Sequence, residues 1–415
     1  MSLLRDRIIV SSTLLAASLG ATPALAQWPQ WGGPDRNFVV NTKGLAEKWP
    51  DTGPQKVWTS KIGDGFSAVL VDDGKLYTMT RSERNEVAVC VSAEKGDVLW
   101  KHEYEAPFSD DMGMEFGPGP HATPLIAGDR MFTIGVTAKM FALDKKTGKV
   151  AWEHDLKSKF NAHQLGRGFS SSPIAYKNSI IVQVGGGPGQ SLMAFDQTTG
   201  SVVWGEGDFE NSHASPILIK VGGQDQLVVF SAQKVLGCDP ATGKQLWEYT
   251  HETQFGANIS TPVWGDDGIL FITSAYGGGG RGLKLENKDG KTSVTELWFN
   301  RKIQCQHGTA LRVGGHVYVS SGDFGPAFLM CVDVKTGEIA WRERVPKATV
   351  VAGDGKIIWL DQEGALGMVA ADPKEFRQLG KTELMQRVAW TVPTLVGTKL
   401  YVRDRANLVA LELGK

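Results

Sequence analysis

The sequence lacks an excess of charge of either sign, since 44 basic and 45 acidic residues give a net charge of -1 at pH 7. The two signs are mixed without long runs, so nothing in the chain attracts a nucleic-acid backbone electrostatically. The four cysteines are scattered, with neither an adjacent pair nor a C-x-x-C-H segment for covalent haem. We therefore expect no nucleic-acid partner, and any electron transfer would need an external acceptor.

Long apolar runs are missing except at the N-terminus. Two arginines precede an apolar run at residues 8–19, and the sequence ALA at 24–26 supplies the small residues that signal peptidase recognises. This run is shorter than the about 20 residues that span a bilayer. The pattern predicts a signal peptide at 1–26 and a periplasmic or extracellular domain at 27–415, without a membrane span after cleavage. Since no cysteine follows the small-residue site, we expect no lipid anchor, and we expect a monomer.

A repeat built on tryptophan fills most of the remaining chain. Gly precedes Trp by four residues in five copies, and Asp precedes it by eight residues in four. Gly adopts the positive φ of a tight hairpin, and the Asp carboxylate accepts hydrogen bonds from the free amides of the turn. Short β runs separated by Gly or Asp turns lie between the copies. The repeated tryptophans are Trp100, Trp152, Trp204, Trp247, Trp298 and Trp341.

The spacing of these copies predicts an all-β, eight-bladed β-propeller with tryptophan-docking repeats. Periods of about 40 to 50 residues are typical of propellers, in which neighbouring sheets cover faces that no single sheet can bury alone. Six copies, a degenerate copy ending near residues 375–384 and a C-terminal blade make eight, with seven as the alternative count. The C-terminal blade has three strands of its own. Its fourth is predicted to be QKVWTSK (55–61), so that an N-terminal strand closes the ring.

This combination of Asp, Thr-Gly and Trp resembles the repeat of the pyrroloquinoline-quinone-like, or quinoprotein-type, β-propeller family. The resemblance covers essentially the whole chain after the signal peptide. It implies a family that contains quinoprotein alcohol and sugar dehydrogenases as well as non-catalytic propellers, among them the lipoprotein that assists outer-membrane protein assembly. Because the repeat specifies the fold and not the chemistry, function has to be argued from a site.

A second repeat predicts where a ligand binds. Each inner strand is expected to begin with a short segment of small residues, such as HATP (121–124) and HASP (213–216). Two long connections, 105–120 and 159–169, are expected at the same channel mouth, because loops carry binding groups more often than stability. The polar residues of these connections are Asp110, Asp111, Glu115, His163 and Arg167. The first residues of the eight segments predict a ring at this mouth: Phe66, His121, Ser170, His213, Ile259, His307, Lys347 and Trp390.

The candidate ligand-binding residues are therefore His121, Ser170, His213, His307, Lys347, Trp390 and Arg167. Three histidines in alternate blades suggest zinc, but each nitrogen would have to come within about 2.1 Å of one ion. Side chains from opposite walls of an eight-bladed channel are not expected to reach that close. We therefore predict histidines that form hydrogen bonds, and no metal site.

Catalysis with pyrroloquinoline quinone and Ca²⁺ is the alternative that the resemblance implies. It would need cations for the quinone carboxylates, oxygen ligands for calcium, and an Asp or Glu base. Stacking and charge could come from Trp390, Arg167, Lys347 and Arg387. The resemblance implies, however, that alcohol-oxidising members have longer chains with a pair of adjacent cysteines, and this chain has neither. We therefore expect a binding or protein-interaction scaffold of the cell envelope, without a cofactor, whose partner is an envelope protein or a small molecule. A quinone-dependent alcohol or sugar dehydrogenase is the alternative, so an enzyme is not the favoured interpretation.

Overall fold

The computed structural model describes residues 27–108, 113, 115–163 and 165–414. The predicted signal peptide lies outside the described residues, as do Asp110 and Asp111. The described chain forms 33 strands in eight sheets and one helix of five residues. The predicted all-β, eight-bladed propeller is confirmed, and the count of eight is correct. Within the described residues, no helix is both long enough and apolar enough to cross a membrane.

The strands of the first four blades follow the chain from the channel outward. Before them come Val39–Val40 (β1) and Gln55–Lys61 (β2). Blade 1 contains Leu70–Asp72 (β3), Lys75–Ser82 (β4), Asn85–Ser92 (β5) and Val98–Glu105 (β6). Blade 2 contains Leu125–Ala127 (β7), Arg130–Ile134 (β8), Lys139–Asp144 (β9) and Val150–Asp155 (β10), and the helix Leu156–Phe160 (α1) follows. Blade 3 contains Ile174–Tyr176 (β11), Ser179–Gln183 (β12), Leu192–Asp196 (β13) and Val202–Glu206 (β14). Blade 4 contains Ile217–Val221 (β15), Gln224–Phe230 (β16), Lys234–Cys238 (β17) and Gln245–Thr250 (β18).

The remaining blades repeat the same order. Blade 5 contains Val263–Trp264 (β19), Ile269–Ser274 (β20), Gly279–Lys288 (β21) and Lys291–Asn300 (β22). Blade 6 contains Leu311–Val313 (β23), His316–Ser321 (β24), Phe328–Asp333 (β25) and Ile339–Arg344 (β26). Blade 7 contains Ala348–Gly353 (β27), Lys356–Asp361 (β28), Ala365–Ala370 (β29) and Gln378–Glu383 (β30). Blade 8 contains Thr394–Val396 (β31), Lys399–Arg403 (β32) and Asn407–Glu412 (β33).

The two ends of the chain close the ring as predicted. Strand β2 pairs antiparallel with β33, and Trp58 lies opposite Ala410. It takes the outer position of blade 8, so its sheet has the order β2-β33-β32-β31. A pairing between distant parts of the chain thus completes the last blade and leaves no gap beside blade 1.

Most of the repeated tryptophans dock on the turn of the next blade, whereas Trp247 donates to Gln226 Oε1 within its own blade at 2.7 Å. Trp100 of blade 1 lies on the turn of blade 2, where a Cβ added to Gly148 would come within 2.5 Å of the indole. The indole nitrogen donates a hydrogen bond of 3.1 Å to the carbonyl of Lys145 in that turn. Asp144 holds the turn, because its Oδ1 accepts from the backbone N–H of Thr147 at 2.8 Å. The Asp, Gly and Trp of the repeat therefore form one docking contact between neighbouring sheets.

Blade 7 lacks the tryptophan, and the N-terminal segment replaces it. Gly380 lies opposite Met368 at the register position that tryptophan occupies in the other blades. The indole of Trp49 covers it, within 2.7 Å of where a Cβ at Gly380 would lie. Strand β1 pairs parallel with β27 and gives this blade a fifth strand. Sequence analysis predicted the ring-closing strand but not these two additions.

Candidate functional site

The eight small-residue segments bring their first residues together at one mouth of the channel. They lie immediately before the inner strands and not within them, except in blade 7, where β27 begins at Ala348. The prediction that the segments begin the strands is therefore wrong in most blades, because backbone N–H groups there bond hydroxyls of the neighbouring segment, as Thr123 does with Ser172 Oγ at 3.0 Å. All eight ring residues nevertheless line one cavity of about 490 Å³. Arg167 lines the same cavity, so the structure brings together all seven candidate ligand-binding residues.

The N-terminal segment closes the channel beneath this cavity. Trp31 lines the cavity and donates its indole N–H to Thr261 Oγ1 of blade 5 at 2.9 Å. Arg36 is buried and donates to the carbonyl of Pro216 at 2.9 Å and to that of Pro173 at 3.0 Å. One segment thus ties blades 3, 4 and 5 together across the axis. The cavity is therefore a pocket with a floor, which the sequence pattern did not predict.

Aromatic rings form one wall of the cavity around Trp390. His307 stacks on its indole at a centroid distance of 4.6 Å and an interplanar angle of 30°. Phe66 and Phe116 approach the same indole at 5.3 and 4.9 Å. On the other side of Phe66, the ring of His121 is nearly parallel at 5.4 Å. Such a wall offers flat apolar surface to a flat ligand.

The three ring histidines are neutral at pH 7. Burial is the main cause that lowers the pKa of His121 to about 3, with a smaller effect from the charge of His213. Burial likewise lowers the pKa of His213 to about 4 and that of His307 to about 3, aided by Arg167 and by Lys347 respectively. Ser170 Oγ and His213 Nδ1 share a hydrogen bond of 2.6 Å. His213 is thus a hydrogen-bonding group of the cavity, whereas Nε2 of His307 is buried without a partner, and a base of such low pKa is poorly suited to activate the Ser170 hydroxyl.

The cavity lining carries three cations and one carboxylate among its described residues. Arg167 pairs with that carboxylate, Glu115, at 2.5 Å, and Arg387 lies 3.6 Å from Glu363. Lys347 donates a hydrogen bond to the amide oxygen of Gln306 and has no carboxylate within 4.0 Å among the described residues. The lining is therefore electropositive, and one of its cations, Lys347, forms no ion pair among the described residues.

Three further cavity residues escaped the sequence interpretation. Gln306 connects Lys347 to Tyr276, whose hydroxyl accepts from the Gln306 amide at 2.7 Å. Phe324 packs against Tyr276 at 5.7 Å while remaining 78% exposed. The signal for Gln306 was its position next to His307 in the ring. Tyr276 and Phe324 lie in glycine-flanked connections between strands, to which the sequence analysis assigned no site residue.

Metal ligands are not assembled in the described part of the chain. No group of three or more His, Cys, Asp or Glu side chains there is arranged to hold a metal ion. Cys305 lies behind the mouth, where burial raises the pKa of its thiol to about 12. It donates a hydrogen bond to the carbonyl of Gly308 at 3.2 Å, so it is a packed thiol and not a thiolate ligand or nucleophile.

Comparison with known proteins gives a family match over most of the chain. A family model described as outer membrane protein assembly factor BamB matches residues 83–343. A curated relative, the 1-butanol dehydrogenase (quinone) of Thauera butanivorans, is 32% identical over 180 residues, which cover 40% of this chain and 26% of the relative. The chain spans between 22% and 47% of the length of the curated relatives it matches.

Solved structures support the same fold. The quinohemoprotein alcohol dehydrogenase of Comamonas testosteroni superposes with a TM-score of 0.65 and 13% identity, over 94% of this chain and 81% of that one. BamB from Moraxella catarrhalis superposes with a TM-score of 0.59 and 14% identity, over 86% of this chain and 99% of that one. At these identities the likeness establishes the propeller and leaves the chemistry to the site.

The cavity offers the stacking surface and the cations that a calcium-bound pyrroloquinoline quinone requires, but not the carboxylates. Trp390 offers a flat face, and Lys347 and Arg387 offer charge for carboxylates. Glu115 is the sole described carboxylate of the lining, and Arg167 already holds it. Calcium prefers six to eight oxygen ligands, including carboxylates, and the chemistry also needs a free carboxylate base. The described donor set therefore does not fit the metal-bound cofactor.

Proposed function

Because this chain belongs to the pyrroloquinoline-quinone-like β-propeller family, whose matching model is described as outer membrane protein assembly factor BamB, we propose that it is a binding scaffold of the cell envelope. Its ligand site is the cavity at the channel mouth, and the ligand is a small, flat, anionic molecule. The observation that carries this proposal is the surplus of cations beside an aromatic wall in a floored cavity of about 490 Å³. Export through the signal peptide at 1–26 is part of the same proposal.

The cations of the cavity lining favour a negatively charged ligand. Lys347 donates to the uncharged amide of Gln306, lies beside the neutral His307, and forms no ion pair among the described residues. A ligand carboxylate supplies the missing negative charge, and charge-assisted hydrogen bonds are the stronger kind. A positively charged ligand would instead face repulsion from Lys347, Arg167 and Arg387.

The volume of the cavity and its planar aromatic wall favour a small, flat ligand. Pockets of about 300 to 1,000 Å³ suit small molecules, and most of their contact surface is apolar. Here the apolar surface is planar, since Trp390 and Phe66 present ring faces and edges towards the cavity. A flat ring packs against these groups with more contact than a puckered ring of the same charge.

Calorimetric titration with terephthalate tests this proposal. The matched ligand is trans-cyclohexane-1,4-dicarboxylate, which has the same two charges but is not flat. We expect saturable one-to-one binding of terephthalate, weaker binding of the cyclohexane compound, and loss of affinity in K347Q but not in K146Q, which changes an exposed lysine. Absence of saturable binding, or equal affinity of K347Q and the wild type, would contradict the proposal.

A quinone-dependent dehydrogenase is the second candidate, favoured by the 32% identity to the butanol dehydrogenase of Thauera butanivorans. Adding pyrroloquinoline quinone with and without Ca²⁺, and then following dye reduction with 1-butanol and glucose, separates the two candidates. The binding proposal expects quinone binding that is independent of calcium and no turnover. Calcium-dependent turnover with either substrate would replace the first candidate by the second.

An envelope protein is the other partner that the family description suggests. Phe324 lines the cavity and is 78% exposed, and Phe255, which is 61% exposed, packs with it against the cavity residue Tyr276. Cross-linking in intact cells followed by mass spectrometry tests this version of the scaffold role. Capture by the wild type that is lost in the double variant F255S/F324S supports a protein partner at the rim, while equal capture by both argues for a site elsewhere.

A further inference from the structure

Lys347 differs from the other cavity cations in what surrounds its charged atom. Arg167 and Arg387 each lie beside a carboxylate, whereas the Lys347 ammonium donates to an uncharged amide, Gln306. Its ring neighbour His307 is neutral and stacks on Trp390. Asp323 is the acidic group that acts on Lys347 from a distance, and one of its own oxygens is engaged by the backbone N–H of Tyr276 at 3.1 Å.

Lys347 is an ammonium in its resting state and donates to Gln306, but these surroundings make its uncharged amine easier to reach than that of an exposed lysine. A lysine in a partly desolvated site without an adjacent carboxylate loses the solvation of its ammonium form, which is how enzymes and binding proteins obtain nucleophilic lysines. Burial lowers the pKa of Lys347, and the charge of Asp323 opposes this effect in part. The hydrogen-bonded chain from Tyr276 through Gln306 holds the nitrogen in the cavity, where a ligand can reach it.

We propose that Lys347 is a nucleophilic amine that forms an imine with aromatic aldehydes or ketones entering the cavity. The amine nitrogen adds to the carbonyl carbon to give a carbinolamine, which then loses one water molecule as the C=N bond forms. No oxidant or reductant takes part, and water reverses the reaction. The inference rests on the proposed ligand site, and it assigns that site a reactive group and a class of carbonyl ligand.

Geometry around Lys347 selects among carbonyl compounds. The aromatic wall at Trp390 offers a face for a ring, and Arg167 and Arg387 line the same cavity, where they can share their remaining N–H donors with a negative group on the ligand although each already lies beside a carboxylate. An aromatic aldehyde with a carboxylate therefore meets both the wall and the charge while its aldehyde reaches the amine. The probe that follows from this argument is 4-formylbenzoate.

Reductive trapping tests the proposal on the whole folded protein. The protein is incubated with 4-formylbenzoate and sodium cyanoborohydride at pH 7, and peptide mass spectrometry then locates each modified lysine. We expect the peptide with Lys347 to be modified several-fold faster than peptides with exposed lysines such as Lys146. The modification at Lys347 should be lost in K347R and kept in K146R, and circular dichroism and the melting temperature verify that both variants are folded.

A competitor separates this inference from the proposed function. Terephthalate lacks an aldehyde, so it should protect Lys347 and leave Lys146 unprotected. If terephthalate binds by calorimetry but Lys347 is modified no faster than Lys146, the nucleophilic amine is wrong and the binding site stands. If Lys347 reacts selectively with benzaldehyde while terephthalate neither binds nor protects, the amine stands and the anionic ligand class is wrong.

Discussion

Trp49 lies on Gly380, and this contact repairs the one blade whose repeat lost its tryptophan. In blade 7, Gly380 takes the register position that Trp100 takes in blade 1, and the buried indole of Trp49 fills the space from the N-terminal segment. The space that the repeat tryptophan fills in other blades is thus filled from elsewhere in the chain, although the indole nitrogen of Trp49 has no hydrogen-bond partner there. Two N-terminal tryptophans, Trp49 and Trp58, therefore help to hold blades 7 and 8 in the ring.

Replacing Trp49 should destabilise the protein as strongly as a core truncation. The side chain is 3% exposed, so Trp49→Ala removes buried apolar area and leaves a cavity over Gly380. We expect the free energy of unfolding in urea to fall by about 3–5 kcal/mol. Phe324→Ala is the control, because Phe324 is 78% exposed and should change the value by less than about 0.5 kcal/mol. Similar losses for the two variants would mean that Trp49 does not dock.

The contribution of the Trp58–Gly96 contact to stability can be measured by comparing alanine substitutions at two glycines that have similar backbone angles. Gly96 and Gly74 have φ of +78° and +70°, but a Cβ at Gly96 would meet Trp58 at 2.7 Å and one at Gly74 would meet nothing within 4 Å. Gly74→Ala should cost about 1–2 kcal/mol of stability through its backbone alone. Gly96→Ala should cost a further about 1–3 kcal/mol from overpacking against the indole. Equal costs in urea unfolding would place Trp58 away from blade 1 in solution.

Stability should fall as the pH drops below neutrality. The pKa of His121 and that of His307 are lowered to about 3 in the folded protein, against an ordinary value near 6.5 in the unfolded chain. Between these values the unfolded state binds protons that the folded state does not, so each histidine removes up to about 1.4 kcal/mol of stability per pH unit. Above pH 6.5 the effect vanishes. Urea unfolding at pH 7 and pH 5 measures it.

The variant His307→Asn tests the origin of this pH dependence. Asn keeps a hydrogen-bonding side chain but does not titrate, so the loss of stability between pH 7 and pH 5 should be smaller than in the wild type. His316→Asn serves as the control, since His316 lies at the start of β24 away from the cavity lining. An unchanged pH dependence in His307→Asn would show that its imidazole is protonated equally in both states.

The aromatic wall should contribute to ligand affinity through Trp390. The variant Trp390→Phe keeps a ring beside His307 and Phe116, while Trp390→Ala removes the wall. Ring stacking is worth about 0.5–1.5 kcal/mol beyond area burial, so Trp390→Ala should bind terephthalate roughly 2- to 12-fold more weakly than Trp390→Phe. Equal affinity of the two variants, measured by calorimetry, would place the ligand away from this wall.

Most of the fold could be predicted from the sequence, because each residue of the repeat has a local structural role. Asp144 holds a turn, Gly148 adopts its positive φ, and Trp100 fills the gap above it, so the spacing alone predicts a blade. The ring of first residues was predictable for the same reason, since every blade delivers its segment to the same mouth. The local repeat therefore predicted the strands and the eight ring residues that line the cavity.

The parts that sequence analysis missed depend on contacts between distant segments. Trp31 and Arg36 close the channel through hydrogen bonds to blades 3, 4 and 5, and no spacing rule places them there. Trp49 belongs to no repeat and is recognised only when Gly380 is seen beneath it. The charge balance of the cavity likewise appears only in three dimensions, because Arg167 is neutralised by a loop residue and Lys347 is not.

A crystal structure of the protein grown with saturating terephthalate tests the central claim most directly. The account predicts density for one flat ring in the cavity beside Trp390, with one carboxylate within hydrogen-bonding distance of Lys347 Nζ. Density only at the outer surface of the ring, or a cavity that holds solvent alone at a concentration where calorimetry is saturated, would contradict it.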